Sequence, residues 1–286
     1  MPLNQKQTES IESIELSSGI RYGLSAVDGW LPLVEQPLFI LVGLTGVGKS
    51  TLINALSDTE LNFTLFPNRR TLTDKFIIPT VMHIDGAEKE DDITCRVTRF
   101  SYTRRYKQLF PEGIVHILSK LQINPSQVCF PLLFDGLRGK QEVKYAIKIL
   151  PKAQFLVLEA PNYVRLERLL TRRDLFDRIT QSSPIQYNYN ENKISSFSEL
   201  GIPQDTNLFA HEQTQEILAK VNKGYFSIND LRDCLKIIVA EKCNYNPYET
   251  RSILEDLAPS RTLFINTTSY APHLIAQEVQ SFLSSG

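Results

Sequence analysis

The residues Gly43-Leu44-Thr45-Gly46-Val47-Gly48-Lys49-Ser50 hold the densest chemistry in the chain. They fit the pattern G-x-x-x-x-G-K-[ST] at every fixed position, and Thr51 follows. Glycine lets the backbone bend tightly and brings N–H groups against phosphate oxygens. A helix starting at Ser50 would point the positive end of its dipole at the same anion. Lys49 is then placed to reach the β and γ phosphates, and the Ser50 hydroxyl to hold Mg²⁺. Gly43, Thr45, Gly46, Val47, Gly48, Lys49, Ser50 and Thr51 are therefore expected to bind a nucleoside triphosphate, ATP or GTP. A glycine-rich turn before an ordinary helix is the plain alternative. The strand-type run Leu38 to Val42, directly in front of the motif, argues against it.

Further along, Val128 to Asp135 is an apolar run that closes on an acid. A carboxylate at the end of a strand beside such a loop is the expected second anchor for Mg²⁺, since it orders the metal's water shell. The competing role for Asp135 is to cap the next helix. Arg69, Arg70, Thr71, Thr73 and Asp74 crowd one short stretch and resemble an anion site, because arginine forks suit phosphate oxygens. A solvated loop with a local Arg–Asp pair is the alternative there. Arg138 follows Asp135 at the carboxyl end of its strand, where open α/β sheets place ligands. Residues 96–107 interleave Arg96, Arg99, Arg104, Arg105 and Lys107 with Phe100, Tyr102 and Tyr106. That pattern suits either an amphipathic element with its aromatics inward or a contribution of one or two arginines to an acceptor. Arg165, Arg168, Arg172 and Arg173 recur at helical spacing after Val164.

The elements that must position these groups can be read from hydrophobic periodicity. Strands are expected near 38–42, 62–66, 129–135, 154–159 and 262–267, with helices between them. Strand, phosphate-binding loop, helix and then repeated strands and helices predict an α/β fold. Its core would be a parallel five-stranded P-loop sheet with helices on both faces. About 90 residues between the arginine-rich helix and the last strand are too many for one crossover, so a helical insertion should precede that strand and cover the site. Its helices are expected near 206–222, 228–242 with Ser227 as N-cap, and 247–257 from Pro247. The segments are thus 1–36 as an N-terminal extension, 37–180 as the core, 181–260 as the insertion or lid, and 261–286 as the final strand and helix. Residues 1–18 are polar and expected to fray; 181–205 read as loop.

Bulk composition excludes some functions. A net charge of −1 with 22% charged residues provides no basic field for nucleic acid, which is not expected as a partner. No apolar run reaches the roughly 20 residues needed to cross a bilayer, and the N-terminus lacks a signal-peptide pattern. Cys95, Cys129, Cys234 and Cys243 are scattered, as reduced and mostly packed thiols would be in the cytoplasm.

These motifs resemble the nucleoside-monophosphate-kinase-like branch of phosphate-loop proteins, such as adenylate and guanylate kinases. Asp135-Gly136-Leu137-Arg138 is similar to the D-G-F-P-R element of adenylate kinase, departing at Leu137 and lacking the proline. Arg69-Arg70-Thr71 lies where guanylate kinase carries T-T-R, in a different order. Leu166-Glu167-Arg168-Leu169 with Arg172 and Arg173 is similar to the R-L-x-x-R run that opens the lid of these kinases. The resemblance implies that Asp135 serves the metal site. It also implies that Arg168, Arg172 and Arg173 steady the transferring phosphoryl group. The 181–260 insertion matches no lid of the family.

Two functions fit. In the first, Mg²⁺–ATP binds the loop and Lys49 with the lid arginines stabilises the transferring group. Arg69, Arg70, Asp74 and Arg138 then position a small anionic acceptor such as a nucleoside monophosphate or a phosphorylated metabolite. Such transfer depends mainly on positioning and electrostatics; were the acceptor a hydroxyl, Asp74 or Asp135 would be the candidate base. In the second, the protein is an ATPase whose insertion binds a protein partner and responds to the γ-phosphate. Under both, Lys49→Ala is expected to abolish nucleotide binding or turnover, measured by equilibrium titration with Mg²⁺–ATP and by ATP consumption. Unchanged turnover would exclude the loop as the site.

Overall fold

The computed structural model describes residues 13–23, 27–86, 96–172, 193–203 and 207–284. The chain opens with β1 (Ile14–Ser17), β2 (Ile20–Tyr22), β3 (Leu31–Pro32) and β4 (Leu38–Val42), followed by α1 (Lys49–Ser57) and β5 (Thr64–Leu65). Next come α2 (Arg69–Leu72), a π-helical turn at Thr73–Ile77, α3 (Ile78–Asp85), α4 (Arg96–Leu109), α5 (Ile114–Leu118) and β6 (Leu121–Ile123). β7 (Leu132–Leu137), α6 (Lys140–Ile149), β8 (Ala153–Glu159) and α7 (Asn162–Arg172) complete the first half of the core. The remainder is α8 (His211–Asn222), α9 (Ile228–Asn244), α10 (Pro247–Leu257), β9 (Thr262–Asn266) and α11 (Pro272–Ser284).

All five expected core strands are present, in the order β5-β7-β4-β8-β9, and every pairing is parallel. β4 carries the glycine-rich loop and lies at the centre. Its five residues are all buried, as a parallel strand covered on both faces requires. Leu38, Ile40 and Val42 enter one core with Phe134 and Phe155. Phe39 and Leu41 enter the other, beneath α1 and α11, whose Leu52, Leu56, Ile275 and Val279 are buried there. Successive connections leave β4 in opposite directions, toward β7 and β5 on one side and β8 and β9 on the other. That reversal opens a crevice at the carboxyl ends of the strands.

The strand expected at 129–135 begins and ends later, at Leu132–Leu137, so Asp135 does not terminate it. Leu41 pairs with Asp135, but Val42 pairs with Leu137, which leaves Gly136 as a bulge. A Cβ on Gly136 would come within 2.5 Å of the Phe134 ring and 3.1 Å of Arg69 Cβ, so any larger residue would have to displace the buried Phe134 ring. The stretch whose residues resemble an anion site is helical, not the solvated loop given as the alternative. Asn68 caps α2 by accepting the Thr71 N–H at 3.0 Å.

A second, antiparallel sheet has the order β1-β2-β6-β3. The fraying expected over residues 1–18 does not hold for Ile14–Ser17, which pair with β2 in a hairpin, and residues 1–12 lie outside the described residues. Tyr22 stacks on Phe76 with centroids 4.4 Å apart, joining this sheet to the helical stretch after β5. Residues 96–107 form an amphipathic helix. Tyr106 is buried, Arg99 pairs with Asp74, and Arg105 pairs with Asp85. Of the described cysteines, Cys234 is buried but Cys129 and Cys243 are exposed, so packing is not their common feature. No helix among the described residues is long and apolar enough to cross a membrane.

The expected insertion helices form, and Ser227 does cap α9, accepting the Asp230 N–H at 3.0 Å. α8 and α9 pack with α7 in a third core that includes Leu166, Leu169, Leu218, Leu231 and Leu235. α10 instead returns to the main core, where Leu254 and Ala258 are buried beside α6. Leu166 is fully buried at the junction of α7 with that third core. Leu166→Ala is expected to cost about 2–5 kcal/mol, read as a lower midpoint in urea denaturation.

Candidate functional site

A cleft of about 850 Å³ lies at the carboxyl ends of the parallel strands. Thr45, Gly46, Gly48, Lys49, Ser50 and Thr51 form its floor. Gly46 has φ +83°, and a Cβ there would lie 2.9 Å from the Arg165 carbonyl, so the turn demands glycine. Gly43 and Val47 belong to the same loop but do not line the cleft; Val47 is buried in the core beneath it.

Lys49 is buried at the start of α1 and donates to the carbonyls of Gly43 and Leu44, both at 2.9 Å. Asp135 Oδ1 is 3.8 Å from its ammonium. Burial pulls the Lys49 ammonium down from its ordinary 10.5 to about 8, and Asp135 offsets only part of that. Ser50 and Asp135 line the same cleft. One hydroxyl and one carboxylate beside a phosphate site suit Mg²⁺, which keeps several waters and takes phosphate oxygens for the rest. Among the described residues no group of three or more His, Cys, Asp or Glu forms an all-protein metal cage.

The predicted arginines divide into different environments. Arg138 and Arg168 line the cleft, as do Arg70 and Arg172. Arg168 donates to the Thr267 hydroxyl at 2.8 Å and the Thr267 carbonyl at 3.0 Å, which fixes it against the end of β9. Arg69 touches the cleft but its guanidinium is taken up elsewhere. It donates to Glu142 at 2.8 and 2.7 Å and to the Gly136 carbonyl at 2.7 Å. Burial alone would raise the Glu142 carboxyl, but Arg69 and Lys107 outweigh it and hold the group at about 2. Arg69 is thus a strut under the bulge of β7 rather than a group offered to an acceptor. Asp74, also expected at an acceptor, does not line the cleft and is bound in a two-point pair to Arg99 at 2.7 and 3.1 Å. Arg173 lies outside the described residues.

Thr73, and Arg99 and Phe100 of α4, which the sequence placed in candidate segments, also line the cleft. Other lining residues were not singled out from sequence: Thr103 adds a hydroxyl. Tyr245, at the end of α9, closes part of the wall. Tyr270, Pro272 and Ile275 follow β9. Glu241 of α9 lies just behind the wall, fully buried, and accepts from Thr45, Arg138 and Arg165. A faint signal for Glu241 was available, because an acid closes the apolar run Ile237-Ile238-Val239-Ala240.

The AAA_18 family profile, described as an AAA domain, matches residues 40–193. The match begins in β4 and takes in the glycine-rich loop, β7, β8 and α7. No curated protein matches the sequence. Among solved structures, shikimate kinase from Acinetobacter baumannii in complex with shikimate is similar at TM-score 0.37 and 15% identity. That likeness covers 88% of this chain and 96% of the other.

The depressed Lys49 ammonium leads to a pH prediction. An anion bound beside it favours the charged form, so affinity for Mg²⁺–ATP should be flat below pH 8 and fall as pH rises through about 8. Binding above that point should take up a proton, measured by calorimetry in buffers of different ionisation enthalpy. Lys49→Arg, whose charge persists, should abolish the proton uptake.

Proposed function

The chain belongs to the AAA_18 family of AAA domains, and we propose that it is a Mg²⁺-dependent phosphotransferase moving the γ-phosphoryl group of ATP to a small anionic acceptor. One observation carries this reading. The cleft that holds Lys49, Ser50 and Asp135 is also lined by Arg70, Arg168 and Arg172, and by Arg99 and Arg138, which carry Asp74 and Glu241 as counter-ions. A bound triphosphate alone needs fewer cations than this, and the surplus suits a second anion.

The strand order supports a division of the cleft. Residues following β9 and those on α7 lie to one side of β4, and residues following β5 and β7 lie to the other. On the β9 side, Tyr270, Pro272 and Ile275 supply aromatic and apolar surface that suits a nucleobase. On the β7 side, Asn68, Arg70 and Thr73 supply polar groups for an anionic acceptor, beside Arg99, which also pairs with Asp74, and Thr103, whose hydroxyl donates to the Arg99 carbonyl.

In the reaction an acceptor oxygen attacks the γ-phosphorus while the bond to the bridging oxygen breaks and the nucleoside diphosphate leaves. Lys49, Arg168 and Arg172 neutralise charge on the transferring group, and the loop N–H groups hold the phosphates in line. Ser50 and Asp135 would hold Mg²⁺, which when bound neutralises phosphate charge. An acceptor phosphate needs no general base. For a hydroxyl acceptor, Asp135 is the candidate to take the proton, since the other lining carboxylate, Glu167, is paired with Lys220 and Asp74 is bound to Arg99.

The test is ATP consumption with Mg²⁺ across a panel of nucleoside monophosphates and small phosphorylated metabolites. At least one compound is expected to accelerate consumption and to become phosphorylated. If none does, the transferase reading fails; stimulation by a protein alone would identify a nucleotide-dependent regulator instead.

A further inference from the structure

Glu241 stands on α9, outside the elements that form the parallel sheet, and its side chain has no exposure. It does not line the cleft, yet three parts of the cleft's frame converge on its carboxylate. The Thr45 N–H donates to its two oxygens at 3.2 and 3.1 Å, and the Thr45 hydroxyl donates at 2.6 Å. Arg138, just past β7, donates at 2.8 Å. Arg165, on α7, donates at 2.5 Å and also donates to the Thr45 carbonyl at 2.8 Å. Both backbone polar groups of one loop residue are therefore held by this cluster.

Removing the Glu241 charge has two effects of opposite sign. By Coulomb's law alone, losing a negative charge beside an anion site should tighten anion binding. Against that, Arg138 and Arg165 would then face each other without a shared counter-ion, and the Thr45 N–H would lose its acceptor. Arg165 is almost completely buried, so it cannot recover water in exchange. The carboxylate is enclosed by donors and contributes nothing to the cleft surface, which makes anchoring the dominant effect.

We propose that Glu241 is a positioning residue for the bound triphosphate, holding Thr45 and Arg138 in the arrangement that receives it. This rests on the reading of Gly43–Ser50 as a triphosphate site. It makes the helical insertion a working part of that site rather than a cover over it.

The test is equilibrium binding of Mg²⁺–ATP to full-length variants, which requires no turnover. Glu241→Gln keeps the volume and removes the charge; it is expected to weaken binding about tenfold, as small misplacements of site groups do. Arg138→Ala should weaken it to a similar extent, and the double variant should bind no worse than the weaker single, because the two act as one unit. Glu241→Asp, which keeps the charge, should recover part of the loss. A purely structural Glu241 would lower the melting temperature but leave the two affinity losses multiplicative. Multiplicative losses overturn the proposal, as does unchanged or tighter binding in Glu241→Gln. If Glu241→Gln fails to fold, Thr45→Val takes its place in the same cycle, since it keeps the side chain's size and removes the hydroxyl's bond to Glu241. Unchanged affinity in Lys49→Ala would overturn the triphosphate site itself. Failure of every acceptor would count only against the transferase reading, because the binding cycle stands without it.

Discussion

Two carboxylates without solvent exposure, Glu142 and Glu241, hold together the frame of a cleft lined by Lys49 and several arginines. Each takes two basic side chains from different elements. Glu142 joins Arg69 of α2 to Lys107 of α4, and Glu241 joins Arg138 at the end of β7 to Arg165 of α7. Concentrating guanidinium and ammonium groups in one place is unfavourable unless counter-ions are built in. A site meant for highly charged phosphates must carry that concentration whether or not a ligand is present. Removing one partner of such a buried pair typically costs about 3–5 kcal/mol, because the other is left buried and uncompensated. The acids come from α6 and α9, so the main core and the third core each contribute one clamp to the same cleft.

The cleft itself follows from the sheet. Because β4 is central and the chain leaves it in both directions, the segments after β5, β7, β8 and β9 all end at one edge. The bulge at Gly136 then shifts the end of β7 by one residue. Asp135 lies one residue before it and is 3.8 Å from Lys49, while Arg138 lies beyond it. Arg69 supports that bulge by donating to the Gly136 carbonyl. The cost of the irregular strand is met by a buried guanidinium that is itself fixed by Glu142.

Electrostatics also separate groups that look equivalent as residue types. Lys49 has its ammonium pulled down to about 8 by burial, whereas Arg69, equally enclosed, is pushed upward because Glu142 outweighs burial. Lys49 is thereby left responsive to an incoming anion. Arg69 is already satisfied.

Local chemistry settled much of this protein from sequence alone. The spacing of Gly43, Gly48, Lys49 and Ser50 identifies the loop, because phosphate geometry leaves few alternatives. Short apolar runs point to the five parallel strands, most clearly at β4, which is covered on both faces and therefore apolar at every residue. Ser227 and Pro247 mark helix starts through rules that act within four residues. What remained hidden was set by contacts between residues 25 to 196 positions apart in the chain. No local pattern distinguishes Arg69, which is consumed by Glu142, from Arg70, which lines the cleft, and Asp74 is occupied by an arginine on another helix. The bulge that carries β7 past Asp135 arises from pairing with β4, not from the residues of β7 alone. Glu241 reads in sequence as an ordinary acid on a helix. Only the packing of α9 against α7 removes it from water and leaves Thr45, Arg138 and Arg165 as its partners, since a buried carboxylate must be met by donors and tertiary structure alone decides which ones are near.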